Sequence, residues 1–493
     1  MLELKALNDS RVEAVVRIED DCPLGEYAMR LRTATGITPM RTFWVGQFPA
    51  VEEKEPNDAF DEPQPIDMNV TVTGVVTNED VDYFLVEAKK GQRITAEVEG
   101  IRLGLTLFDP YVAILDMGRF ERSASDDTAL LLQDSIASIV APEDGTYVVQ
   151  IRESAYGGNG SCRYRLHVGS FPRPLAAYPA GGSAGEQVQV TFVGDAAGEL
   201  TQTFDLPAEP RDHFELFAEH DGLVASSPNR FRVSGFENVL ESEPNNDTQT
   251  ATATDLALPL AFNGIIGEPG DIDWFRFKAT NGAQYDVRVH ARSLGSPLDS
   301  VLTIHDAAGK RLADNDDAGG LDSSMRFKFP ADGEFLIAVR DHLHDGGANF
   351  VYRVEVAPVQ SGLATHIPRF GRDSQARMTI SVPRGNRTAT LMNGDRRDIG
   401  GDLVFVAPDL PAGVTMHAQT LPSNLRQHPI VFEAAPDAPI AGKLVNYGVR
   451  HADEAQNVLG RYGQTVDLVL GPPNNTVYYR RSVTGLPLAV TAQ

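Results

Sequence analysis

The residues best suited by type and spacing to do chemistry are oxygen donors in a short acidic connector, Glu53-Lys54-Glu55-Pro56-Asn57-Asp58. In an extended segment side chains alternate, so positions 53, 55 and 57 project to one side. Pro56 stiffens that geometry. Two carboxylates and an amide oxygen then stand in a row, with Asp58 at the turn. Asp80 and Asp82, on one face of a following strand, can complete the shell. Hard Ca²⁺ takes about six to eight such oxygens at roughly 2.3–2.6 Å. Gathered without a cation, the same acids repel one another. The bland alternative is a solvated acidic linker with Asx-type turns.

Self-similarity weighs against that alternative. Phe43-Trp44-Val45 and Phe231-Arg232-Val233 lie 188 residues apart, and the same offset carries Glu53, Glu55, Pro56 and Asn57 onto Glu241, Glu243, Pro244 and Asn245. Asp80-Val81-Asp82-Tyr83-Phe84 recurs as Asp271-Ile272-Asp273-Trp274-Phe275 at an offset of 191. Asp134-Ser135 and Asp322-Ser323 return to 188, as do Tyr164-Arg165 and Tyr352-Arg353. An offset that drifts and recovers marks small loop insertions around a shared core. Leu175-Ala176 and Leu363-Ala364 extend the relation past the second copy.

The elements that must position these donors read as strands. Ile94, Ala96 and Val98 alternate with Thr95 and Glu97, and Tyr285, Val287 and Val289 alternate with Asp286 and Arg288. Period two in both copies indicates half-buried strands. Turn signals at Glu143-Asp144-Gly145 and Ala331-Asp332-Gly333 precede strands predicted at 146–151 and 334–339. No window beyond about 12 residues sustains a helical period. The fold class expected is all-β: tandem antiparallel β-sandwich modules, jelly-roll-like and Ig-like. The predicted layout alternates a small sandwich with a larger module: 1–50 (a truncated small module), 53–170, 171–240, 241–357 and 358–493.

Composition bounds the function. The chain has 493 residues and a formal charge of −25, so it exceeds one core and carries no basic surface for a polyanion; nucleic-acid binding is not expected. No apolar run of about 18 residues exists, so no membrane insertion is expected, and no signal peptide is visible at the N-terminus. Two cysteines, Cys22 and Cys162, exclude a disulfide framework.

At Glu-Pro-Asn the larger module resembles the bacterial pre-peptidase C-terminal domain, also seen as the collagen-binding domain of clostridial collagenases. The matching residues are Glu55-Pro56-Asn57-Asp58, Asp80-x-Asp82-Tyr83-Phe84, Gly91, Leu103-Gly104, Asp109, Asp116, Glu143 to Tyr147, and Tyr164-Arg165-Leu166. In the second copy they are Glu243-Pro244-Asn245-Asn246, Asp271-x-Asp273-Trp274-Phe275, Gly282, Leu294-Gly295, Leu298-Asp299, Asp306, Asn315-Asp316-Asp317, Asp332-Gly333 and Tyr352-Arg353-Val354. Together the copies cover nearly half the chain, and the alternation of modules resembles large exported proteins of planctomycete-type bacteria. The resemblance implies a β-sandwich attached to secreted enzymes, with a structural or substrate-adhering role. It also implies calcium, held by Glu53, Glu55, Asn57, Asp58, Asp80 and Asp82, and again by Glu241, Glu243, Asn245, Asn246, Asp271 and Asp273. Asn246 replaces an aspartate, which weakens the second site unless Asp247 substitutes.

Other motifs are weaker. Asp314-Asn315-Asp316-Asp317-Ala318-Gly319-Gly320 lacks the glutamate of an EF-hand and reads as a hairpin turn. His342-Leu343-His344 has no third ligand nearby and no counterpart in the first copy. No nucleophile elbow, zinc-protease motif or phosphate-cradling loop is visible, so the chain is expected not to be an enzyme; an enzyme in 358–493 would show a concave pocket with perturbed titratable groups. Tyr83, Trp274, Tyr111 and Tyr156 are candidates for a ligand surface, with core packing expected for at least one residue of each Tyr83-Phe84 and Trp274-Phe275 pair. The expectation is a non-catalytic, calcium-stiffened rod, extracellular, at the cell surface or periplasmic, whose partners are extracellular protein or polysaccharide. The rival expectation is the accessory C-terminal region of a secreted peptidase.

Overall fold

The computed structural model describes residues 2–8, 11–317, 320–371 and 378–492. Short strands joined by turns and loops dominate it, and the helical elements named among the described residues are three-residue 3₁₀ turns. The two predicted larger modules have the same architecture, each a pair of five-stranded sheets. In the first, one sheet runs Glu121–Ser125, Pro110–Asp116, Gly145–Glu153, Val81–Ala88, Gln64–Pro65. The facing sheet runs Ile136–Val140, Arg93–Glu99, Arg163–Gly169, Val70–Val75, Ala50–Glu52. The second module repeats both orders, from Arg311–Asn315 to Thr252–Ala257 and from Ser324–Lys328 to Glu237–Leu240.

Period-two patterning builds these sandwiches. Phe84 and Val86 point into the first core among Ile94, Val98, Val112, Ile114, Val149 and Leu166, and Phe275 and Phe277 do so in the second. Tyr83 and Trp274, one position away, face outward and are half-buried, Tyr83 against Phe60 and Trp274 against His305. The repeated Asp-Ser pairs are structural staples. Asp134 accepts the backbone N–H of Gly100 and Ile101, and Asp322 those of Ala291 and Arg292, capping matching 3₁₀ turns.

The segment 171–240 is a smaller sandwich of two three-stranded sheets closed over Val190, Phe192, Leu216 and Phe231. Buried charge locks it to the first module. Glu97 accepts from Arg102, Arg173, Ser226 and Ser227. Burial alone would push its carboxyl up, but Arg173 and Arg102 hold it well below the usual range. In the second module Glu355 plays this part, joined to Arg353 and to Arg232 of the small sandwich, both at 2.9 Å.

The array is not the rod expected from the order of modules. The C-terminal region has its own core around Phe405, Phe432, Tyr447 and Leu488, and its hairpin Gln464–Gly471/Thr476–Val483 reaches back to the start of the chain. Val466 packs on Met40, Val469 and Tyr479 pack on Ile101 of the first module, and Arg481 pairs with Glu26 at 3.2 Å. Ala492 donates its N–H to the Ala34 carbonyl at 3.1 Å. Segment 1–50, too short for a core of its own, is held by these contacts. They join residues hundreds of positions apart, which local patterning cannot report. Cys22 and Cys162 are both free. Ala318 and Gly319 of the acidic loop lie outside the described residues.

Candidate metal centre

The acidic connector leaves the first module's edge strand at Glu52 and bends at Glu55 rather than running extended; the Glu55–Pro56 peptide is cis, as is Glu243–Pro244. Because the segment bends at Glu55, strand alternation does not align positions 53, 55 and 57. The connector is instead tied to the module body through Asn57, whose carbonyl accepts the Tyr83 N–H at 3.1 Å, and through Asn245, whose carbonyl accepts that of Trp274 at 3.0 Å. These bonds set the connector beside the strands that begin with the aspartate pairs.

In the first copy Glu55, Asp58, Asp80 and Asp82 each bring a carboxylate oxygen within 4.8 Å of the others. Asp82 is fully buried, and its Oδ1 has no hydrogen-bond partner. Asn57 is 1% exposed, and neither Oδ1 nor Nδ2 of its amide is partnered. Asp80 is oriented by the Thr77 N–H at 2.8 Å. Glu53 stands outside the four: its Oε2 accepts the Val75 N–H at 3.0 Å and its Oε1 the Tyr164 hydroxyl at 2.6 Å.

The second copy brings together Glu241, Glu243 and Asp273 in the same way. Asp273 and Asn245 are fully buried, again with Asp273 Oδ1 and both atoms of the Asn245 amide unpartnered. Asp271 is held by the Gly267 N–H at 2.7 Å and lies outside the cluster, although its Oδ1 is buried without a partner. Asn246 is exposed. Asp247 does not substitute for it; its Oδ1 is engaged by the Gln249 and Thr250 N–H groups of its own turn.

Sequence reasoning missed two tyrosines. The Tyr164 hydroxyl lies 2.6 Å from Glu53 and 2.8 Å from Asp82, and Tyr352 donates to Asp273 at 2.6 Å. One phenolic proton cannot satisfy two ionised carboxylates, so the Glu53–Asp82 pair calls for a further positive charge, a proton or a cation. Gly74 and Gly264 make room for this contact. A Cβ on either would strike the tyrosine hydroxyl and the glutamate, Glu53 or Glu241. The signal was present, since Tyr164 and Tyr352 share the 188-residue offset, but a tyrosine in an apolar strand reads as core.

Electrostatics follow from the crowding. Burial, followed by the hydrogen bond to and repulsion from Glu53, pushes Asp82 up to about 10. Burial and Glu241 push Asp273 up to about 9, and burial pushes Glu241 up to about 7. Burial also raises Glu55, with Asp58 and Asp80 adding to it. An oxygen-only set short of positive charge suits a hard cation. Among the described residues, these two clusters are the groups of three or more acidic, histidine or cysteine side chains close enough to share an ion; His342 and His344 are in neither. A cavity of about 400 Å³ where the C-terminal region meets the N-terminal segment is lined by Arg30, Arg32, Lys443 and Ser482, with no carboxylate or histidine in its lining.

Over 98 residues the chain is 42% identical to a probable subtilase-type serine protease of Deinococcus radiodurans, a stretch that is 20% of this chain and 14% of that protein. The chain thus spans a small part of its relative. Among solved structures it is similar to the pre-peptidase C-terminal domain of a collagenase from Bacillus anthracis, at 16% identity over 22% of this chain and 95% of that one, with a TM-score of 0.18. It is also similar to a periplasmic inhibitor of g-type lysozyme from Aeromonas hydrophila, at 13% identity over 25% and 99% of the two chains, with a TM-score of 0.16. No helix is long and apolar enough to cross a membrane among the described residues. Residues 271–341 match the family of the bacterial pre-peptidase C-terminal domain, so the chain carries such a domain in its second larger module, with Asp271 and Asp273 at the start of the match.

Proposed function

We propose that each acidic centre takes a calcium ion and that the chain is a non-catalytic, extracellular accessory array. One observation carries the metal: a fully buried aspartate with an orphaned oxygen, beside a buried asparagine amide with no partner, occurs at equivalent places in both copies. A buried polar atom without a partner costs about 1–3 kcal/mol, and an uncompensated buried carboxylate costs more. Glu55, Asn57, Asp58, Asp80 and Asp82 would hold the first ion, and Glu241, Glu243, Asn245 and Asp273 the second. Calcium would supply the positive charge these groups lack. Glu53 and Tyr164 orient Asp82, and Tyr352 orients Asp273. Binding would fix each connector to its module and so join successive modules firmly.

Placement beside a secreted peptidase is favoured by the Deinococcus relative, whose name is that of a subtilase-type protease. On this reading the modules are the accessory part of such an enzyme, at the cell surface or outside it, and the surfaces that meet extracellular protein or polysaccharide lie away from the buried acids. Calorimetric titration of Ca²⁺ into the EGTA-treated chain tests the metal. Two binding events are expected, the second weaker because it has one fewer clustered carboxylate, with Glu55→Ala removing one and Glu243→Ala the other. Absence of heat, with no change in stability, would sink the proposal.

A further inference from the structure

The two larger modules present equivalent sheet faces to their neighbours, with different results. In the first, Arg93–Glu99 pairs with Arg163–Gly169 so that Glu97 stands opposite His167. In the second, Gln284–His290 pairs with Val351–Pro358 so that Arg288 stands opposite Glu355. Glu97 and Arg288 therefore occupy the same place with opposite charge. Glu97 is fully buried, because the small sandwich closes over it with Arg173, Ser226 and Ser227. At the 188-residue offset Arg173 becomes Ser361, a shorter side chain whose hydroxyl donates to the Asp398 carbonyl at 2.7 Å. Arg288 stays exposed.

Over it lies a cleft of about 960 Å³, lined by the second module, the small sandwich and the C-terminal region. Two arginine bridges hold its walls. Arg232 of the small sandwich pairs with Asp212 and with Glu355 of the module, both at 2.9 Å. Arg326 of the module pairs with Asp286 and with Asp398 of the C-terminal region, both at 2.6 Å. These bridges engage the three carboxylates in the lining, Asp212, Asp286 and Glu355. Two further arginines line the cleft, Arg288 and Arg397. Among the described residues no carboxylate lies within ion-pair distance of either; Asp398, the chain neighbour of Arg397, is held by Arg326. In a chain of formal charge −25, such a recess concentrates positive potential where an anion could enter.

We propose that this cleft binds a short acidic saccharide, whose uronate carboxylates are met by Arg288 and Arg397. A planar guanidinium matches a carboxylate in paired hydrogen bonds. Sugar hydroxyls both donate and accept, and Gln360 with the spare lone pairs of Asp212 and Asp286 offers partners for them. A peptide site would be anchored by aromatic or aliphatic side chains in pockets, whereas Phe236 is the one phenylalanine, tyrosine or tryptophan in this lining. Walls pinned beforehand by Arg232 and Arg326 leave little to order on binding. The inference rests on the reading of the chain as an extracellular accessory array, but not on its calcium centres.

Calorimetric titration of trigalacturonate into the full chain tests this. It is run in EGTA, below the melting temperature in EGTA, so that its outcome is separate from that of the Ca²⁺ titration. Binding with Kd below about 1 mM is expected. Arg288→Gln and Arg397→Gln should each weaken it by at least about fivefold. Arg288→Glu, which puts the first copy's residue in the second, should abolish it, with the melting temperature of all three variants unchanged. No binding at about 10 mM ligand, by heat or by saturation-transfer NMR, overturns the proposal, as do variants that bind like the parent chain. Equal binding of a neutral galactose trisaccharide overturns the role of the arginines. Equal binding of sulfate overturns the proposal in favour of a plain anion site, and equal binding of triglutamate in favour of an acidic peptide.

Discussion

Calcium and protons should compete for Asp82, and the competition sets a measurable slope. In the ion-free protein Asp82 holds its proton up to about 10, while in the unfolded chain it releases it near 3.9. The folded state then binds more protons than the unfolded one across that window, so stability falls as pH rises, by at most about 1.4 kcal/mol per unit. Calcium removes the slope, because the bound form needs the carboxylate ionised. With Kd near 0.1 mM, at the tight end of extracellular calcium modules, 10 mM Ca²⁺ adds about 2.7 kcal/mol. For a module of about 115 residues that is a rise in melting temperature of about 10 °C. The gap between melts in calcium and in EGTA should widen by about 4–5 °C per pH unit from pH 6 to 9. Asp82→Asn should flatten the EGTA series while weakening the calcium effect. Differential scanning calorimetry at four pH values decides. A gap that stays constant with pH refutes the proton linkage, and coincident melts in calcium and EGTA refute the ion.

Three further outcomes follow from described contacts. Tyr164→Phe and Tyr352→Phe should each destabilise the ion-free chain by about 1–2 kcal/mol, since a buried carboxyl group loses its hydrogen-bond donor, and calcium should recover part of that loss in urea melts. Gly74→Ala should lower the urea midpoint by an amount equivalent to about 1–3 kcal/mol, because the new methyl strikes Tyr164 and Glu53. Glu97→Ala leaves Arg102 and Arg173 buried without their shared partner and should cost about 3–5 kcal/mol. Because Glu97 is held below its ordinary range, its contribution is present above about pH 4.3 and is lost as the solution is acidified. An acid titration followed by circular dichroism should show Glu97→Gln blunting that loss.

Much of the fold was legible because the chain states it twice. Strands placed on Ile94-Ala96-Val98 and Val287-Val289 follow from period two, and the recurrence of Asp80-x-Asp82 as Asp271-x-Asp273 placed acids at matching sheet positions. Within the site the readings diverge. Glu55, Asp58, Asp80 and Asp82 bring carboxylate oxygens together, whereas Glu53 turns to Tyr164 and to the Val75 N–H. Tyrosine and glycine roles were illegible because they depend on which strands become neighbours: Val70–Val75 lies beside Arg163–Gly169. A subtler trace was there to be read. Glu99 faces His167 at 3.2 Å in the first copy, and at matching positions His290 faces Glu355 at 3.6 Å in the second. Acid and histidine have changed places across one strand pair, a substitution pattern that only a contact explains. Folding back of the array left no such trace, since Met40, Met378 and Val466 are ordinary apolar residues.

That fold-back alters what the molecule can be mechanically. With Ala34 bonded to Ala492, Val466 packed with Met40 and Arg481 paired with Glu26, the C-terminal region is clasped to the N-terminal segment, and force applied across the two would run through this seam. Such tension would strain the seam first and would leave the two acidic clusters unloaded until it parted.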